Sequence, residues 1–167
     1  MRWMRGLVVA AVSFAVVSSG GSASRADQGG EDAPGLAGAE QAATGQIRDL
    51  RTAARKLKRL SSEIEKSGGP GDYATWLRES GKRVDALAKR WATGIDLYHR
   101  EFPPESLVAE DPERASTAAR WIGQKNAEFR NQVLALQQDL LAANAGFGNA
   151  PRHLVGRARA IFAGMSG

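Results

Sequence analysis

The chain has 167 residues, with 23 Lys+Arg against 18 Asp+Glu, two histidines and no cysteine. That length is enough for one domain with a real core. The missing cysteines exclude disulfides, thiol nucleophiles and lipid attachment through sulfur.

The first residues, MRWMRGLVVAAVSFAVVSSGGSASRAD, have the layout of a secretory signal peptide. Arg2 and Arg5 precede an uncharged run from Gly6 to Val17, and small residues lead to a cleavage-type triplet at 21–23 or 24–26. A bilayer-spanning helix needs ~20 apolar residues, so a retained anchor is the less favoured alternative. Residues 1–26 are therefore expected to be a signal peptide, and the protein periplasmic or extracellular. Three of the 23 cations, Arg2, Arg5 and Arg25, lie before Ala26, so the mature chain carries a net charge of +2 rather than +5. Residues 27–38, DQGGEDAPGLAG, are rich in Gly and acid and are expected to form a flexible arm. Residues 39–167 are expected to form a single α-helical domain.

From Ala39 the apolar spacing is helical. Ile47, Leu50, Ala54, Leu57, Ser61 and Ile64 recur at intervals of three and four, a heptad seam. Ser67-Gly68-Gly69-Pro70-Gly71 then stops the helix. Asp72 can cap the second helix. Its seam is Leu77, Ser80, Val84, Leu87, Trp91, Gly94 and Tyr98, widened by Tyr73, Trp76 and Ile95. Gly94 admits two readings, a close helix approach or a kink. Pro103-Pro104 ends this helix.

Asp111-Pro112-Glu113 is a helix start: a capping side chain, a proline at the first position and a carboxylate in the first turn. The third seam is Ile122, Asn126, Phe129, Val133, Leu136, Leu140, Ala143 and Phe147. The break at Asn144–Asn149 leaves Phe147 either on the helix or folded back from the turn. Asn126 either fixes register from within the seam or sits at its rim, and the pattern favours neither. A short fourth helix starts near Pro151, with Leu154, Val155, Ala158, Ile161, Phe162 and Met165 on one side. The expected fold is all-α: an elongated hairpin or bundle of three long helices and one short C-terminal helix.

Nothing in this pattern names a reaction. His99 and His153 have no cysteine to pair with, and no Gly-rich phosphate loop is present. Asp96, His99 and Glu101 could offer metal ligands, but no His-x-x-x-His or Glu-x-x-His spacing supports them, and a histidine near a helix C-terminus is favoured by the dipole alone. The expectation is a non-enzyme with no cofactor and no metal. The aromatics Tyr73, Trp76, Trp91, Tyr98, Phe102, Trp121 and Phe129 default to core, whereas an exposed Trp76 or Trp121 would mark a protein-contact surface.

The candidate interaction surface is the basic run RTAARKLKRLSSEIEK. At 100° per residue Arg51, Arg55 and Lys58 form one line, with Arg59 and Arg48 on its flank and the apolar seam on the other side. A solvated face is the plainest reading. Yet neighbours three and four apart repel mildly, and Glu63 and Glu65 come too late to pair with most of the run. Partner proteins of the cell envelope, self-association or an anionic membrane surface would relieve that repulsion. Nucleic acid is disfavoured by export and by the lack of interleaved aromatics.

In helix order the chain resembles the TrbJ family of conjugal-transfer proteins, from about Gly45 to Gly167. The residues that carry the likeness are the leader, a first helix GQIRDLRTAARKLKRLSSEIEKS, and a second, LRESGKRVDALAKRWATGIDLYHREFP, running into a Phe-Pro break. A helix with Trp121 and Phe129 and the late segment LVGRARAIFAGMSG complete it. Two features depart from the family. DQGGEDAPG stands where an Asp-Pro-Thr-Asn-Tyr-like stretch often follows the leader, and the chain stops where members continue through another long helix. The resemblance implies a shortened, non-catalytic component of a type IV secretion system or pilus, working through helix–helix contacts. The alternative is a free periplasmic binding or chaperone-like protein with its aromatics around a groove.

Overall fold

In the computed structural model the described residues are 36–103 and 111–165. The expected signal peptide and residues 27–35 of the expected arm lie outside them, as do Pro104 and the last two residues. Four helices follow in order: α1 (Leu36–Lys66), α2 (Gly71–Glu101), α3 (Pro112–Ala145) and α4 (Arg152–Ala163). The fold is all-α, three long helices and one short C-terminal helix, with no strand among the described residues. None of these helices is long and apolar enough to cross a membrane. α1 begins at Leu36, inside the segment expected to be an arm, and Ala39 and Ala43 are already buried in its first two turns.

α1 and α2, 31 residues each, form a tight antiparallel hairpin. Its turn is a Schellman motif. Gly68 takes φ +66°, its N–H donates to the Glu65 carbonyl at 3.2 Å, and the Gly69 N–H donates to the Ile64 carbonyl at 2.9 Å. Positive φ is cheap only for glycine, so Gly68 sets the reversal. Asp72 is not the cap of α2. Pro70 holds that position, while Asp72 lies in the first turn and accepts from the Tyr73 N–H at 2.8 Å and from Asn149 Nδ2 at 3.0 Å. The Asn149 amide, then the Tyr73 N–H, hold its carboxyl below the usual range. At α3, Asp111 does cap, accepting from the Arg114 N–H at 2.9 Å, with Pro112 behind it.

Every expected seam position of α1 is buried, and Ala53 and Leu60 are buried as well. The stripe is wider than a heptad seam because α1 is covered by α2, α3 and α4 together. On α2 the glycine at the crossing is Gly81, not Gly94. A Cβ on Gly81 would stand 3.2 Å from the Ala54 carbonyl oxygen, whereas one on Gly94 would meet nothing nearer than the Trp91 ring at 3.7 Å. Beside this crossing the Ser61 hydroxyl donates to the Ala74 carbonyl at 2.7 Å.

α3 departs furthest from the pattern. Its buried residues are Ala118, Ile122, Asn126, Phe129, Val133, Gln137, Leu140 and Asn144. They follow intervals of four, four and three, an eleven-residue period closer to a straight α-helix than the heptad is. Beyond Val133 the expected seam keeps Leu140 but gives way at two positions to the next residue along. Leu136 and Ala143 move outward, and Gln137 and Asn144 turn in. Phe147 leaves the helix and folds back from the turn, its ring 4.9 Å from both Tyr73 and Trp76.

Candidate functional site

Three buried amides on the inner face of α3 hold the bundle together. Asn126 Nδ2 donates to the Ala39 carbonyl at 3.0 Å, fixing the start of α1. Gln137 Nε2 donates to the carbonyls of Phe162 at 2.9 Å and Ala163 at 3.2 Å, which end α4. Asn144 Nδ2 donates to the Val155 carbonyl at 3.0 Å near the start of α4. The Asn126 question is thus settled in favour of burial. Gln137 and Asn144 were invisible to a search for apolar periodicity, since a polar residue breaks such a pattern whether it faces in or out.

The aromatic side chains are spent on one another. Trp91 stacks on Phe129 at 4.5 Å, and Tyr98 stacks on Trp121 at 5.3 Å, joining α2 to α3. Trp76 packs against Tyr73 at 5.8 Å, Phe147 at 4.9 Å and the edge of Phe162 at 5.8 Å. Trp76 and Trp121, candidates for an exposed contact surface, are half-buried and packed against the core. The default reading of these rings, core, describes them better than an interface does. Asp96, His99 and Glu101 gather no further ligand: among the described residues no three His, Asp or Glu side chains converge. The His99 ring lies edge-on to Tyr98 instead.

The basic run divides into two parts. Arg59, on the flank of the line, faces Glu63 at 3.8 Å. Glu63 also receives Arg157 of α4 at 2.7 Å, and Glu65 pairs with Arg78 of α2. The acids that end the run are therefore taken by Arg59, Arg157 and Arg78. Among the described residues Arg51, Arg55 and Lys58 make no ion pair: Arg55 bonds only the Arg51 carbonyl at 3.3 Å and the Thr52 hydroxyl at 3.3 Å.

These three cations form one wall of an open groove of about 460 Å³ between α1 and α2. Arg78 and Lys82 rise on the opposite wall, and Ala54 and Gly81 form the floor. Gly81 brings the two helices close enough that no large side chain fills the space. The first wall is legible in the spacing of Arg51, Arg55 and Lys58. The second wall is not, because the register that sets Arg78 and Lys82 opposite Arg55 depends on the hairpin turn and the Gly81 crossing. The arrangement can hold negative charge over an apolar strip about two helical turns long. Comparison with known proteins adds no family to this geometry: no family model, curated protein or solved structure matches the chain.

Proposed function

We propose that the protein is an exported, non-enzymatic helical component of a cell-envelope assembly, of the type IV secretion or pilus-associated kind suggested by its TrbJ-like helix order. The observation that carries the proposal is the unpaired line Arg51–Arg55–Lys58 standing across a groove from Arg78 and Lys82. The like charges of the α1 line, which meet no acid among the described residues, are mildly destabilising in the isolated chain, and a partner that neutralises them recovers that energy. The leader-type N-terminus supports an envelope location. The alternative, a client-binding groove lined by aromatics, needs free ring faces, and Trp76, Trp91 and Trp121 give theirs to neighbouring rings.

In-cell crosslinking of the exported chain, followed by identification of its envelope partners, tests the proposal. Co-purification with conjugation or secretion components is the expected result. A chain that remains monomeric and crosslinks to no envelope protein would sink it.

A further inference from the structure

We infer that the α1/α2 groove is a docking site for an acidic helix of a partner protein, laid along the hairpin with its carboxylates on the two cationic walls. This rests on the assembly role proposed above and names the chemistry of the partner. Arg51, Arg55 and Lys58 are spaced by four and three residues, and Arg78 and Lys82 by four. A partner helix with Glu or Asp on both flanks of a small-residue stripe matches both rows, as charged flanks match across a coiled-coil seam.

The groove fits a helix in shape as well as charge. Two helices that approach at Gly81 and Ala54 leave a furrow with a floor of small residues, where a third helix can reach ordinary packing distance. On the α1 wall an incoming carboxylate displaces no ion pair formed among the described residues. On the α2 wall Lys82 pairs with Glu79 at 2.7 Å and Arg78 with Glu65, but all four side chains are exposed and exchange partners easily. Asp85, at the end of the groove, is occupied by Lys89 at 2.8 Å.

A membrane surface is the competing occupant, and the groove suits it less. Peripheral attachment combines cations with apolar side chains that enter the interface. The large exposed apolar residues among those described, Leu97 and Leu134, do not line the groove.

Lys56 supplies the internal control. It is exposed on α1 but lines the opposite, α4-facing side with Asp49 and Ala160, so Lys56→Glu changes net charge equally without touching the groove. The probe is a labelled synthetic helix with Glu at i and i+4 on each flank of an Ala/Leu stripe, and its Glu→Gln counterpart, titrated against the full mature chain by fluorescence anisotropy. The Glu peptide should bind and weaken as salt rises. Lys58→Glu and Arg55→Glu/Lys58→Glu should weaken binding by about tenfold or more, while Lys56→Glu stays within about twofold. Unchanged circular dichroism shows that the variants fold, as expected for exposed positions.

The inference is overturned if the Glu peptide does not bind, if the Gln peptide binds equally, or if Lys56→Glu weakens binding as much as Lys58→Glu. It is equally overturned if phosphatidylglycerol vesicles bind the groove in a Lys58-dependent way and the peptide does not. Those outcomes leave the assembly role standing wherever crosslinking still captures an envelope partner. Peptide binding without any such partner would sink the assembly role alone.

Discussion

The Tyr73 hydroxyl donates to Asn144 Oδ1 at 2.7 Å across 71 residues of sequence, and both side chains are buried. Through the same amide Asn144 holds the Val155 carbonyl at 3.0 Å. One side chain therefore joins the start of α2, the end of α3 and the start of α4. The Tyr73 hydroxyl also reaches the Leu154 carbonyl at 3.4 Å, so the junction is a small buried network rather than one isolated bond.

Asn144→Ala should lower unfolding free energy by about 2 kcal/mol, because it removes two hydrogen bonds and leaves the Tyr73 hydroxyl only its long contact with the Leu154 carbonyl at 3.4 Å. Tyr73→Phe removes only the hydroxyl and should cost about 1 kcal/mol. Urea unfolding of the two single variants and the double variant measures the coupling, expected near 1 kcal/mol. Simple additivity would show that the pair makes no bond in solution.

This junction also marks how far the sequence was legible. Helix number, order and most boundaries followed from apolar spacing, from Asp111-Pro112 and from the glycines at 68 and 69. Those signals are local, and the bundle agrees with them. The wider stripe of α1 was hidden because Ala53 and Leu60 turn inward only when a second layer covers them. The inward amides were hidden because Gln137 and Asn144 read as surface residues until α4 supplies carbonyls for them. At the groove, Arg51, Arg55 and Lys58 were found, but their separation from Arg59 depended on where Glu63 and Arg157 came to lie.

Gln137 offers a prediction of a different kind, since its loss should be local. α4 has 12 residues, near the lower limit for a helix that stands alone, and so depends on docking. Gln137→Met keeps most of the volume but removes the donor from the Phe162 and Ala163 carbonyls. Amide exchange in α4 should quicken by about tenfold, while exchange in the α1/α2 hairpin stays unchanged. A uniform increase along the chain would mean that α4 does not open separately.

Gly81 and Gly94 of α2 should respond to substitution in opposite directions. Gly94→Ala meets nothing tight and improves helix propensity, so it should raise stability by about 0.5–1 kcal/mol. Gly81→Val must force branched carbons against the Ala54 carbonyl, where even a Cβ stands at 3.2 Å, and should cost about 1–3 kcal/mol. Thermal unfolding should order the proteins Gly94→Ala, wild type, Gly81→Val. Any other order would place the helix crossing elsewhere.

Alkaline pH should unfold the protein through its tyrosines. The chain has two, Tyr73 and Tyr98, and neither exposes any surface. Burial pushes the Tyr73 phenol up to about 12. Burial, then the neighbouring Glu40 carboxylate, raises that of Tyr98, whose hydroxyl makes no hydrogen bond of good geometry among the described residues. In the unfolded chain both phenols lose their protons near pH 10. Below that pH the folded and unfolded chains hold the same phenol protons, and the tyrosines contribute no pH dependence. Above it the unfolded chain binds fewer protons than the native one, so stability falls as pH rises from about 10 toward 12. Tyrosinate absorbance in the native protein should therefore appear late and together with loss of helical circular dichroism, whereas in denaturant it should rise near pH 10. Tyr98→Phe deletes one buried phenol that has no good acceptor, so it should flatten the alkaline fall while leaving neutral stability nearly unchanged. A native protein that ionises both tyrosines near pH 10 with its helices intact would show that these phenols are open to water.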